Sequence, residues 1–206
     1  MSEFPGVYLA SRSPRRRELL AQIGVRFEPL LFREGSRRDA EIDESALPGE
    51  QADEYVRRVT FAKARGAWER VVTRRGLQRK PVLVADTTVA LAGQILGKPQ
   101  DPEDAMRMLR LLSGTQHRVL TAVAVQYEGR FEMAVSESRV TFATLDEARM
   151  VAYVHSGEPY DKAGAYGIQG RAGAFVERLE GSYTGVVGLP LYETANLLRL
   201  FGILVP

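Results

Sequence analysis

An alternation of two kinds of segment narrows the possible folds more than any other feature. Short apolar runs of strand type follow longer segments with apolar residues at helical spacing, throughout the 206 residues. Val7–Ser11 reads as a buried strand. Ser13 and Pro14 supply an N-cap and a first-turn proline for a helix through Leu19, Leu20 and Ile23, which Gly24 closes. Phe27–Phe32 is a second strand, Arg33 to Gln51 a charged loop, and Ala52 to about Arg75 a long helix. Pro81–Ala85 is a strand ending at Asp86, and Thr88–Leu91 with Ile95–Leu96 forms a small hairpin through Gly93. Asp101 and Pro102 open a third helix that Gly114 ends. Val119–Tyr127 and Phe131–Phe142 flank Glu128-Gly129-Arg130 as a hairpin, and Asp146–His155 is a fourth helix. A glycine-studded loop from Glu158 to Gly173, a strand Ala174–Leu179 and a terminal helix Pro190–Phe201 complete the chain. This interleaving predicts an α/β fold, a mixed sheet with flanking helices. No repeat, low-complexity segment or linker divides it, so residues 1–206 read as one domain.

Several function classes fall away on composition. The chain has no cysteine, which excludes disulfides, thiolate zinc sites, iron–sulfur clusters and a cysteine nucleophile. No stretch approaches the roughly 18 apolar residues of a membrane span, and Val7 to Ala10 is too short for a signal segment. A cytoplasmic protein with no membrane partner is expected. A net charge of +2 is too small to argue for nucleic acid. Only Lys63, Lys80, Lys98 and Lys162 are lysines among 28 basic residues. A lysine kept in an arginine-rich chain suggests a place for a compact ammonium, as at a phosphate. His117 stands at a strand start and His155 at a helix end; a surface or capping role suits both better than a triad or a zinc site.

Four segments could carry chemistry. In Ser11-Arg12-Ser13-Pro14-Arg15-Arg16-Arg17 a strand runs into a helix N-terminus, where free N–H groups and the dipole favour an anion. Arginines in a first turn oppose that dipole, which makes sense if a polyphosphate neutralises them; a solvated basic turn is the plainer alternative. Glu41-Ile42-Asp43-Glu44 is either a solvated acidic loop or a source of carboxylate for a divalent metal. Asp86, at the end of an apolar strand, can hold a metal, deprotonate a water or simply cap a turn, and Lys98 could approach from the adjoining hairpin. In the glycine-rich stretch from Ser156 to Gly170, backbone can close on a ligand, and the Gln169 amide can read a base edge with donor and acceptor. Together these give phosphate binders, carboxylates and a base reader with no covalent nucleophile.

The blocks LASRSPRRRELLAQIG, EIDE, FAKAR, VADT, ILGKP, LSGTQHRVLTAVAV, YVHSGEPYDKAGAYGIQG and GSYTGVVGLPLYET resemble, in order, the motifs of the Maf family of nucleoside triphosphate pyrophosphatases. The match runs from about Tyr8 to Leu198. The resemblance implies an inosine-triphosphatase-like fold with two lobes around a cleft, a divalent cation (Mg²⁺ or Mn²⁺), and release of pyrophosphate in a house-cleaning role. It implies Asp86 as the catalytic carboxylate, and Ser11, Arg15, Arg16, Lys63 and Lys98 as contacts to the substrate. Glu44 matches the acidic residue of the second motif, so metal binding falls to Glu44 and Asp86. Arg15, Thr87 and Gln169 resemble the specificity positions of the branch acting on dTTP and UTP; the 7-methylguanosine triphosphate branch has Trp, Gln and Glu there. The extra charged residues around Arg33–Asp39 are a departure from the family pattern. Rival readings are a 7-methyl-GTP or broad modified-nucleotide pyrophosphatase, and a nucleotide-sensing regulator of cell division without turnover. Whether the chain forms a homodimer is left open.

Overall fold

The computed structural model describes residues 4–30 and 43–205. Phe32, Arg33–Asp39 and Glu41 lie outside the described residues. Strands and helices alternate as β1 Val7–Leu9, α1 Pro14–Gln22, β2 Phe27–Pro29, α2 Ala52–Thr73, β3 Val82–Leu91, β4 Gln94–Leu96, α3 Pro102–Leu112, β5 Gln116–Tyr127, β6 Arg130–Phe142, α4 Glu147–His155, β7 Val176–Glu180, α5 Tyr183–Val187 and α6 Leu191–Leu200. Local chemistry sets several of these bounds. Asp101 accepts from the Asp104 N–H at 2.7 Å and starts α3. Gln51 and Glu54 form a reciprocal capping box at the start of α2. Ser13 does stand at the N-cap of α1, but its hydroxyl makes no cap; its N–H instead donates to Ser11 Oγ at 3.2 Å.

The strands form one mixed sheet in the order β2-β1-β3-β5-β6-β7, with β4 paired to β3. The first three strands of that order run parallel, and the rest pair antiparallel. Side chains alternate between the two faces along each strand. One face of β3 carries Val82, Val84 and Ala90, which pack with β5 residues against Ala64, Ala67, Val56 and Val59 of α2. The opposite face is covered in two parts. Leu83 and Ala85 meet α1, α5 and α6, while Val89 joins a cluster with α3, α4 and residues 163–175.

One edge of β3 is notched, and the notch positions everything that follows. β5 pairs with β3 continuously from Val82 to Ala90. On the other edge β1 pairs only with Val82 and Leu83, and β4 begins only at Val89. The edge from Val84 to Thr88 is therefore open between them. After β1 the chain turns away at Ala10, whose N–H donates to the Leu83 carbonyl, and carries Ser11 and α1 to the rim of this opening. Open α/β sheets bind ligands at such places, where neighbouring connections diverge from one strand.

Three sequence expectations need correction. β3 does not stop at Ala85; it runs through Asp86 and Thr87 to Leu91, because both polar side chains find partners and the ladder to β5 is unbroken. Asp86 is thus a mid-strand residue on an open edge. The segment 182–188 contains a short helix, α5, that apolar patterning did not reveal. His117 is neither at the surface nor a cap: it is 1% exposed, packed edge-on to Phe142 and Tyr166. Strand alternation turns it inward, and the Tyr166 hydroxyl, 2.8 Å from Nε2, gives the ring a buried polar partner. His155, by contrast, is exposed at the end of α4, with Nδ1 at 2.8 Å from the Val151 carbonyl.

Burial pushes the His117 imidazole down to about 4, so the folded protein holds it neutral where an unfolded chain would take up a proton. Its contribution is full above pH 6.5 and is lost as the pH falls through the folded value. Stability should drop by about 3 kcal/mol between pH 7.5 and pH 4 from this ring alone. Urea unfolding of wild type and His117→Gln across that range measures it; equal slopes for the two proteins would assign the acid sensitivity elsewhere.

Candidate active site

Lys63, on the sheet-facing side of α2, is the centre of the charged groups at the notch. Its ammonium donates to Asp86 Oδ1 at 2.5 Å and pairs with Glu44 Oε1 at 2.8 Å. Asp86 reaches it because β3 alternation turns that carboxylate toward α2. Asp86 is 7% exposed, a depth at which a carboxylate needs such a partner.

Glu44 belongs to the loop before α2, and α2 itself holds that loop in place. The Tyr55 hydroxyl donates to the Glu44 carbonyl at 2.8 Å. Arg58 donates to the Ser45 carbonyl at 2.8 Å and to both Glu50 carboxylate oxygens at 2.6 and 2.8 Å. Tyr55, Val59 and Lys63 recur every fourth residue, so one helix face supplies the prop for the loop and the ammonium for its carboxylate. Burial pushes the Glu44 carboxyl up, but Lys63, Lys98 and Arg16 together pull it below its ordinary value. Glu50 is brought down to about 2, chiefly by Arg58.

Arg16 enters from the first turn of α1. Its Nε donates to the Gly188 carbonyl at 2.7 Å, one Nη to Thr87 Oγ1 at 3.2 Å and the other to Ser11 Oγ at 3.5 Å. Gly188 follows α5 with φ at +124°, a backbone conformation that side chains disfavour and that turns this carbonyl toward the guanidinium. Burial lowers the proton affinity of Arg16, and the Asp86 charge opposes that shift. Arg15, the next cation along, points the other way and pairs with Asp161 at 3.0 Å.

Asp161 belongs to the glycine-rich segment, which is a packed structure of short 3₁₀ turns. Glu158 anchors it: its carboxylate accepts from the Tyr153 hydroxyl at 2.9 Å and the Arg171 N–H at 3.1 Å. A Cβ at Gly170 would fall on that carboxylate, so any other residue there would displace Glu158 from its partners. Lys162 donates to the Glu158 carbonyl at 2.7 Å and pairs with Asp161. Gln169 is exposed in the turn closed by the Gly170 N–H on the Gly167 carbonyl at 3.0 Å.

The structure thus gathers six of these residues into two sets of direct polar contacts, Ser11–Arg16–Thr87 and Glu44–Lys63–Asp86, linked to each other through charge. Lys98 is exposed and acts on Glu44 through its charge. Arg15 is tied to Asp161, and among the described residues no hydrogen bond or ion pair links Gln169 to the other eight. The site also draws on Thr121, Gly185 and Gly188, and on the props Tyr55 and Arg58, none of which the sequence marks as functional. A lone hydroxyl inside the apolar run of β5 was the one available signal for Thr121.

The donor set can be tested against a divalent cation. Asp86 Oδ1 and Glu44 Oε1 face one point, the point that the Lys63 ammonium takes. Among the described residues no group of three or more acidic or histidine side chains converges. With Oδ1 and Oε1 held by Lys63, it is the second oxygens, Asp86 Oδ2 and Glu44 Oε2, that remain for a hard cation; two carboxylates suit one that completes its shell with substrate phosphates and water, and do not make an all-protein cage.

The Maf-like protein family model matches residues 6–201. A protein named dTTP/UTP pyrophosphatase from Dechloromonas aromatica is 56% identical over 196 residues, 95% of this chain and 97% of the relative. One of that name from Burkholderia lata is 58% identical over 198 residues, covering 95% and 93%. Another, from Nitrosomonas europaea, is 52% identical over 199 residues, covering 97% and 96%. Among solved structures, the Staphylococcus aureus Ham1 protein overlaps 66% of this chain and 70% of its own, at 15% identity and a TM-score of 0.43.

Proposed function

The chain belongs to the Maf-like protein family, and on that premise we propose that it hydrolyses dTTP and UTP to the nucleoside monophosphate and pyrophosphate. Relatives of that activity by name, 52–58% identical over nearly the whole chain, carry the reading. The geometry supports it: two carboxylates, Asp86 and Glu44, and the cations Lys63 and Arg16 meet at an open strand edge.

Water attacks the α-phosphorus; a new P–O bond forms as the bond to the bridging oxygen breaks, and pyrophosphate leaves. Asp86 takes the water's proton as general base. Lys63 holds that carboxylate by Oδ1, and with two of its three N–H groups engaged it has one left for a phosphate oxygen. Arg16 and Lys98 stabilise the charge on the phosphates, joined by Arg15 once it exchanges Asp161 for a phosphate oxygen, and Ser11 lies beside them as a hydroxyl contact. Thr87 and Gln169 read the pyrimidine, whose carbonyl–NH–carbonyl edge a neutral amide can both donate to and accept from. Glu44 and Asp86 would hold a divalent cation, which when bound supplies charge neutralisation at the phosphates and a more acidic water. The substrate is a nucleotide. No helix among the described residues is long and apolar enough to cross a membrane, and a cytoplasmic location is part of the same reading.

Pyrophosphate release from dTTP, UTP, CTP, dATP, GTP and 7-methyl-GTP, with Mg²⁺, Mn²⁺ or EDTA, is the test. dTTP and UTP should lead the panel by at least about tenfold, roughly the net worth of one hydrogen bond, and EDTA should abolish turnover. A lead for 7-methyl-GTP would discard the base-reading roles given to Thr87 and Gln169 and the assignment of Arg15 to the dTTP/UTP branch, and leave the phosphate contacts standing. A folded protein that turns over none of the six would remove the pyrophosphatase reading.

A further inference from the structure

We propose that Thr121 is a positioning residue for Arg16, acting through Thr87; the inference rests on Arg16 being a phosphate contact of the pyrophosphatase proposed above. Thr121 is fully buried in β5, directly opposite Thr87, within a run of apolar neighbours. Its Oγ1 donates to the Gly185 carbonyl at 2.7 Å and lies 2.9 Å from Thr87 Oγ1.

The direction of the whole chain of bonds follows from one fact. A carbonyl cannot donate, so Thr121's single proton is committed to Gly185. The Thr87–Thr121 contact must then use Thr87's proton, with Thr121 accepting. Thr87 is left with only lone pairs for Arg16, whose Nη2 donates to it at 3.2 Å. The same short helix holds the guanidinium from its other side, since Arg16 Nε donates to the carbonyl of Gly188, three residues beyond Gly185. Arg16, Thr87, Thr121 and α5 therefore close a polar ring with one allowed sense. Without the Thr121 hydroxyl, the Thr87 proton loses its acceptor and nothing polar holds that side chain from the β5 side. Thr87 can then turn about its Cα–Cβ bond, carry its lone pairs away from Nη2, and leave the guanidinium to its remaining bonds. Buried networks of this kind are sensitive to the loss of one member.

The test reads Arg16 directly and then through catalysis. The Arg16 Nε–H resonance of the free protein is assigned by its absence in Arg16→Lys. In Thr121→Val its exchange with solvent should rise about tenfold, and kcat/KM for dTTP should fall about tenfold with KM carrying much of the change. Thr121→Ser keeps the hydroxyl and should stay within about twofold of wild type on both readouts. In a Thr87→Val background, Thr121→Val should add nothing, because the ring is already open. An Arg16 resonance unmoved in Thr121→Val, or effects of the two substitutions that simply add, would overturn the proposal and leave Thr121 as a clip for α5. Thr121→Ala serves if the valine variant does not fold. Absence of turnover in the wild type would sink the pyrophosphatase reading alone, and the resonance would still decide the link from Thr121 to Arg16.

Discussion

Asp86→Asn is expected to lower kcat for pyrophosphate release from dTTP by about a thousandfold, inside the range that a general base contributes. The amide keeps the shape of the carboxylate and still accepts from Lys63, so the β3 ladder and the contact to α2 survive. Thermal unfolding should confirm a folded protein, and KM should change much less than kcat, because the lost proton acceptor acts in the transition state. Activity within a few-fold of wild type would show that Asp86 is not the base, whatever else it holds.

Lys63→Met should cost about a hundredfold in kcat/KM, the order seen when one charge-stabilising donor is removed from a reacting centre. The loss has two sources. The substrate loses an N–H donor, and Asp86 and Glu44 are left facing each other with no cation between them. With both partners of a half-buried ion pair stranded, unfolding in urea should also show a loss of about 1–3 kcal/mol. Lys63→Arg should recover the stability better than the activity, since a planar fork restores the charge but cannot place a single point donor between two carboxylates. Near wild-type turnover in Lys63→Met would remove the ammonium from the mechanism and leave it a purely structural bridge.

Periodicity alone made much of this molecule legible. The α/β class, α2 with its loose helical spacing, the Asp101 cap and the β5–β6 hairpin are local facts, set by which residues recur on one face and which turn the chain. The candidate residues were equally visible as types: arginines where a helix dipole opposes them, a carboxylate after an apolar run, a rare lysine. Partnership was not visible. That Lys63 bridges Asp86 and Glu44, that α2 props its own preceding loop through Tyr55 and Arg58, and that His117 is buried all depend on which elements pack together. The same holds for the continuation of β3 through Asp86: a polar pair ends a strand by propensity, yet continues it once partners from α2, α1 and β5 satisfy each group.

Spacing and side-chain type along one chain are enough for the class, the main elements and the chemical inventory, though not for α5 or the full length of β3. Where that inventory acts follows from packing between distant segments. The notch on β3 exists because β1 ends early and β4 begins late on the same edge, and register between distant segments is set by how their faces bury together. The sense of the Arg16–Thr87–Thr121 ring likewise comes from a carbonyl on α5, some sixty residues further along the chain than Thr121.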